Sequence, residues 1–220
     1  MIKLLTTLAI LGFAGSAAGQ GLQMGATGPD TARAVSDVVE AANRSFARLP
    51  PVRLTTQIGA VCGGGDASDL GRYCTSQNAI FIANDLEARI GPEAAAYVVA
   101  HLFGHAIQVR HGVADIALRT IRAEPQNEAE LRGMVTRQVA CLAGFLLKRA
   151  DARRPALSAW FADEPFTDAH WGREPVHAGP RVAIGIAARS EWLETGYRAA
   201  DVSACSVGRI SADGLLAVQK

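Results

Sequence analysis

The stretch from Pro92 to Gly112 constrains the fold most, because its apolar residues lie on nearly every side of a helix. Those residues are Tyr97, Val98, Val99, Leu102, Phe103, Ile107 and Val109. Proline is favoured at the first position of a helix, and glycine just after the last one. The sequence therefore predicts a central helix that opens at Gly91 and Pro92, ends near Gly112 and is buried in a domain core.

The rest of the chain predicts further helices and a little strand. Apolar residues recur at helical spacing over residues 30–48, and we expect two more helices over about 127–150 and 181–197. The β-branched residues between 52 and 61 and the short apolar run at 78–83 favour strands. We therefore predict an α+β fold that is mostly helical with a small strand element.

The beginning of the chain has the pattern of a cleaved secretory signal peptide. One lysine precedes an apolar run from Leu4 to about Phe13, and small residues follow from Ser16 to Gly19. A retained membrane anchor is the alternative, but this run is shorter than the ~20 apolar residues that span a bilayer. We therefore expect a periplasmic or secreted protein that has no membrane span once the signal is removed.

Length and charge limit the domain count and the class of partner. A chain of 220 residues is long enough for one domain with a sizeable core. We divide it into a signal peptide at 1–19, a flexible segment, helix and strand at 20–60, and the main domain at 61–220. The formal net charge of +1 provides no strong field to attract nucleic acid. Nucleic acid is therefore not an expected partner.

The four cysteines are Cys62, Cys74, Cys141 and Cys205. In an exported chain an even set predicts two disulfides rather than a metal cluster. Three pairings are open, and the preferred one joins Cys62 to Cys74 across a glycine-rich loop. Cys141 would then join Cys205 and tie a helix to the C-terminal segment. Each bridge would contribute about 2–4 kcal/mol to stability.

His101 and His105 are a candidate pair of zinc ligands, because residues four apart lie on one face of a helix. In zinc peptidases with an HExxH helix, the glutamate after the first histidine activates the metal-bound water. Here that position is Leu102, which cannot accept a proton. The alternative is that both imidazoles are core residues with satisfied hydrogen bonds.

Four segments of the chain resemble, in order, the segments of a known family. VVAHLFGHAIQ at 98–108 resembles an AHExGHHVQ helix, and RQVACLAG at 137–144 resembles an ELQADCxAG helix. The upstream Cys–Gly segment with GRYC and NAIFIA, and the downstream HAGPRV and ETGYRAADVSAC, keep the same order. Together they resemble the neutral zinc metallopeptidase family. The resemblance implies a zincin-like domain whose zinc is held by two histidines of the first helix and by a third ligand from the second.

The departures from the family pattern fall on its chemistry. Leu102 stands in place of the HExxH glutamate, Thr136 in place of the expected third ligand, and Ala140 in place of the acid before the cysteine. Threonine is a poor neutral ligand for zinc compared with carboxylate, imidazole or thiolate. We therefore predict a pseudopeptidase without a catalytic residue, in which His101 and His105 hold zinc weakly at most.

An active zinc hydrolase remains the alternative, with its base and third ligand taken from outside the usual motifs. His111 completes a three-histidine spacing, but Gln108 stands where such sites need a glycine. Glu128 and Glu130 precede Thr136 on its helix and are expected to be solvated instead.

A binding role predicts that the former active-site cleft is kept. Gln108, Thr136 and His177 are the residues expected to line it, the last by resemblance to a family histidine. The expected occupant is a peptide or a partner protein. A purely structural domain, in which the two helical histidines are relics, is the third interpretation.

Overall fold

The computed structural model describes residues 29–63, 70–154, 156–167 and 182–220. The α-helices, in chain order, are α1 Pro29–Ser45, α2 Leu86–Arg110, α3 Val113–Ala123, α4 Glu128–Arg149, α5 Leu157–Trp160, α6 Ile186–Arg198 and α7 Asp213–Leu216. The strands are β1 Val52–Thr55, β2 Gly71–Cys74 and β3 Ala79–Ala83. Short 3-10 turns occupy Ile58–Gly63, Pro125–Asn127 and Val202–Cys205. The predicted α+β fold, mostly helical with a small strand element, is confirmed.

The three strands form one sheet in the order β1, β3, β2. β1 runs parallel to β3, with Val52 paired to Ile80, and β2 runs antiparallel to it. All five residues of β3 are buried, as a central strand covered on both faces requires. The strand expected over 52–61 is too long, because pairing with β3 ends at Thr55 and the chain then turns into the 3-10 segment.

The central helix α2 is the core of the fold, as its sequence pattern predicts. Its residues from 94 to 108 are all buried except His105. The backbone at Gly91 has φ 79° and ψ 164°, so one short helical turn precedes a kink and the continuous helix begins at Pro92. Glycine tolerates this positive φ, and proline at the first position needs no hydrogen-bond donor. The buried central helix is confirmed.

Helices α1 and α4 pack against α2 and against each other, and α6 packs against α4. Helices α2 and α4 lie close together at Gly104, where an added Cβ atom would lie 3.0 Å from the carbonyl oxygen of Val139. The apolar residues of α1, including Val38 and Phe46, belong to the same core as α2. The division of the chain at residue 60 stays a prediction. None of the described helices is both long and apolar enough to cross a membrane.

Two disulfides cross-link segments of the fold. Cys62 pairs with Cys74 at the end of β2, and Cys141 of α4 pairs with Cys205 in the last 3-10 turn. These are the pairs preferred from the sequence. Cys141 and Cys205 are fully buried, so the second bridge ties the C-terminal segment to the core helix that packs against α2.

Candidate functional site

The two histidines of α2 lie side by side. The ring centroids of His101 and His105 are 4.9 Å apart, with the ring planes at 82°. Two imidazoles bound to one tetrahedral zinc at 2.0–2.1 Å would have their ring centroids about 5 Å apart. The spacing of the pair therefore suits a shared metal ion.

His101 lies in a dry aromatic environment. Its side chain is 2% exposed, and its ring stacks on Phe166 at a centroid distance of 4.2 Å and an interplanar angle of 13°. Its Nδ1 atom is buried without a hydrogen-bond partner in the described part of the chain. Burial holds the pKa of His101 well below its usual value, and His105 and Arg189 lower it further. His101 is therefore neutral at pH 7.

A buried ion pair between Arg189 and Glu164 lies near His101. Arg189 of α6 is fully buried, and its Nη2 and Nε atoms donate to Oε1 of Glu164 at 2.8 and 3.0 Å. The carboxylate of Glu164 also accepts hydrogen bonds from the amides of Ile184 and Gly185, at 3.1 and 2.6 Å. Those amides precede α6, where the helix dipole favours a negative charge. The carboxylate of Glu164 is thus fully engaged within the protein.

Tyr97, one helical turn before His101, contacts three further aromatic rings and lies near Arg189 of the ion pair. Its ring contacts Trp160, Phe161 and Phe166 at centroid distances of 6.2, 5.8 and 6.3 Å. Burial raises the pKa of its hydroxyl, although the neighbouring Arg189 opposes the shift. Neither the Tyr97 hydroxyl nor Nη1 of Arg189 makes a hydrogen bond of good geometry within the described residues.

Leu102 fills space in the core at the position of the motif glutamate. It is 4% exposed, and its Cδ1 atom would lie only 2.7 Å from a Cβ added at Gly71 of β2. The side chain therefore packs against the sheet. Leu102 replaces a proton acceptor with an apolar contact between α2 and β2.

Thr136 and Gln108 both make structural hydrogen bonds. The Thr136 hydroxyl donates to the carbonyl oxygen of Arg132 at 3.0 Å. The amide of Gln108 donates to Gln138 at 2.8 Å, and Gln138 in turn donates to the carbonyl oxygen of Cys205 at 3.1 Å. Gln108 is 2% exposed. This chain of bonds joins α2, α4 and the C-terminal segment.

The other sequence candidates lie apart from the histidine pair or outside the described residues. His111 caps the end of α2, with its ring 6.0 Å from Phe46. Glu128 forms an ion pair with Arg132 at 2.7 Å, and Glu130 is exposed. His177 lies outside the described residues, so its expected place in the cleft stays a prediction.

The described residues supply two of the three protein ligands that a catalytic zinc needs. Within residues 29–63, 70–154, 156–167 and 182–220, no three His, Cys, Asp or Glu side chains are grouped closely enough to hold a metal ion. Thr136 is a poor ligand, and Ala140 is fully buried in the core. The residues described therefore form an incomplete zinc site that lacks its third protein ligand, and no hydrolytic step follows from them.

The neutral state of His101 predicts a pH-dependent stability. Below about pH 6.5 the unfolded chain binds a proton at His101 that the folded protein does not, so stability falls as the pH falls. The fall is up to about 1.4 kcal/mol per pH unit and levels off below the folded-state pKa. Urea unfolding in the presence of a chelator should show a shallower slope for His101→Leu than for wild type between about pH 5 and pH 6.5. Equal slopes would mean that His101 is protonated in the folded state.

Sequence reasoning missed Phe166, Arg189, Glu164 and Tyr97 as parts of the site. Three of them lie in segments without a motif, and the pattern around Tyr97 predicts only a core residue. The helical spacing of Tyr97 and His101 was the one available signal, since residues four apart share a helix face.

A known protein family matches most of the chain. No curated protein and no solved structure matches the chain. Residues 24–170 match the family described as "Putative neutral zinc metallopeptidase". The match begins upstream of the first cysteine and ends before the last, so the downstream resemblance from residue 177 stays a prediction. Because the matched range covers more than half of the 220 residues, the chain belongs to this zinc metallopeptidase family.

Proposed function

We propose that this protein is an exported, catalytically inactive member of the family that binds a peptide or a partner protein. The observation that carries the proposal is the packing of Leu102 against Gly71 of β2. A general base must reach the metal-bound water with an atom that accepts a proton. Here that position holds a side chain that is apolar and committed to the core.

Helix α4, which carries Thr136, also supports the loss of catalysis. The family resemblance expects a zinc ligand at Thr136, whose hydroxyl instead donates to the backbone of its own helix. A carboxylate does lie near the site, at Glu164, but Arg189 and two backbone amides engage it. Recruiting Glu164 to a metal would leave the fully buried Arg189 without its counterion, which is costly.

Export is supported by the cysteines and by the start of the chain. The two disulfides are compatible with an oxidising compartment. The signal-like residues 1–19 lie outside the described part of the structure and carry this part of the proposal on their sequence alone.

The binding role is supported by the surface beside His101. Trp160, Phe161 and Phe166 are each half-buried, and all three contact the ring of Tyr97, one helical turn before His101. Aromatic rings that are partly accessible offer apolar contact area to a peptide at low entropic cost. Zinc binding by His101 and His105 alone is expected to be weak.

Zinc binding and proteolysis on the mature protein, from Gln20 onward, test this proposal. We expect a zinc dissociation constant no tighter than about 1 µM and no zinc-dependent cleavage of labelled casein. The variant His101→Ala should change neither proteolysis nor the background, and His111→Ala is the matched histidine control. One tightly bound zinc ion that is lost in His101→Ala but kept in His111→Ala, together with proteolysis that follows the same pattern, would overturn the proposal.

A further inference from the structure

Phe166 covers one face of the His101 imidazole in an unusual backbone conformation. The two rings are nearly parallel, with their centroids 4.2 Å apart and an angle of 13° between the ring planes. Phe166 has φ 57°, in the left-handed region that bulky residues seldom adopt. Such a conformation persists only where the surrounding structure holds it.

The buried ion pair provides that support. Arg189 donates to Glu164 at 2.8 Å and, with the same Nη2 atom, to the carbonyl oxygen of Phe166 at 3.4 Å. Glu164 is itself bound to the amides of Ile184 and Gly185 just before α6. Residues 164–166 are thus fastened to the start of α6, with the Phe166 ring directed onto His101.

A stacked ring restricts the space beside the His101 imidazole that the other ligands of a metal ion would need. A metal bound to a histidine nitrogen lies in the plane of the imidazole, and its other ligands project to both sides of that plane. The Phe166 ring occupies one side of the His101 plane. A metal ion held by His101 and His105 would therefore have to complete its coordination against this ring.

We propose that Phe166 is an aromatic cover, latched by Arg189 and Glu164, that keeps divalent metal ions off the His101–His105 pair. This inference rests on the proposed function, because a working zinc site needs that space for water and substrate. The cover assigns residues 164–166 a blocking role that no family motif implies.

The test compares Phe166→Gly with Phe161→Ala. Glycine removes the ring and accepts the positive φ, so the backbone strain is relieved. Phe161 also contacts Tyr97, at 5.8 Å, and its backbone is extended with φ −132°. It has no described ring contact with His101, which makes Phe161→Ala the control for loss of an aromatic ring near the site. The probe is Co²⁺, followed by calorimetry and by the visible absorption of the bound ion.

We expect Phe166→Gly to bind Co²⁺ at least tenfold more tightly than wild type, and Phe161→Ala to bind it like wild type. The gain should disappear in Phe166→Gly/His101→Ala. Equal Co²⁺ affinity of wild type and Phe166→Gly would overturn the proposed cover. A gain in Co²⁺ affinity in Phe161→Ala as large as that in Phe166→Gly would also overturn it. If Phe166→Gly does not fold, as judged by circular dichroism, Phe166→Ala serves in the same comparison.

The two proposals fail in different ways. Wild-type protein that binds zinc tightly and cleaves casein in a His101-dependent manner overturns the proposed function. Wild-type protein that is inactive, with no gain of Co²⁺ affinity in Phe166→Gly, overturns only the cover.

Discussion

Replacement of Gly196 by alanine is expected to destabilise the protein by at least about 3 kcal/mol, the upper end of the usual effect of overpacking a core. A Cβ atom at this position of α6 would lie 1.8 Å from the carbonyl oxygen of Cys141 on α4. A backbone oxygen within a helix cannot turn aside as a flexible side chain can. The two helices would have to separate.

The neighbouring contact makes such a separation costly. From the other side, a Cβ at Gly144 of α4 would lie 1.9 Å from the carbonyl oxygen of Leu193 on α6. The two helices therefore touch backbone to backbone at two points. Cys141 is also tied to Cys205, so α4 cannot move away freely.

Thermal unfolding followed by circular dichroism measures the effect. A loss of 3 kcal/mol corresponds to a fall in Tm of roughly 6–12 °C for a domain of this size. Gly214→Ala is the matched control, because Gly214 is also helical but has no atom within 4 Å of the added Cβ. Alanine should be neutral or slightly stabilising there. If Gly196→Ala has the same Tm as the control, the contact between α4 and α6 can accommodate a methyl group and the expected clash is wrong.

The parts of the fold that the sequence predicts are those with a local signal. Helical spacing of apolar residues, Pro92 and Gly112 together locate the central helix and its ends. The same spacing predicts that His101 and His105 share a face, which the ring distance of 4.9 Å agrees with. Leu102 is visible in the sequence as the missing glutamate, but only the structure shows its packing against Gly71.

Elements without a strong local signal were not predicted. β2 is four residues long and is buried on both faces, so it shows no alternation of polar and apolar residues. α3 begins at Val113, directly after Gly112, whose φ of 82° both ends α2 and allows the chain to start a new helix. A glycine that ends one helix does not by itself indicate whether a loop or a second helix comes next.

The surroundings of His101 could not be predicted because they are brought together by tertiary packing. Glu164 and Arg189 are 25 residues apart in the chain, and neither belongs to a motif. A charged residue in a sequence is expected to be solvated, since burial requires a partner that the sequence does not identify. Only the folded structure reveals this buried pair and the stacking of Phe166 on His101.

Replacement of Arg189 by methionine is expected to destabilise the protein by about 3–5 kcal/mol, because it leaves a buried carboxylate without its counterion. Glu164 is 8% exposed and Arg189 fully buried. The hydrogen bond to the Phe166 carbonyl would also be lost.

An exposed ion pair of the same length provides the control. Arg154 contacts Glu194 at 2.8 Å, but its side chain is 64% exposed. Arg154→Met should therefore change stability by no more than about 1 kcal/mol. Urea unfolding of both variants separates the effect of burial from that of charge pairing.

The double variant Arg189→Met/Glu164→Gln shows whether the effect comes from the unpaired charge. The neutral amide of glutamine needs no counterion, and its single oxygen can still accept one of the two hydrogen bonds that Ile184 and Gly185 donate to separate oxygens of Glu164. We therefore expect part of the lost stability to return. Recovery of stability would identify the uncompensated carboxylate as the cause. If the stability losses of the two substitutions are additive, the packing of the arginine side chain, rather than its charge, supports residues 164–166.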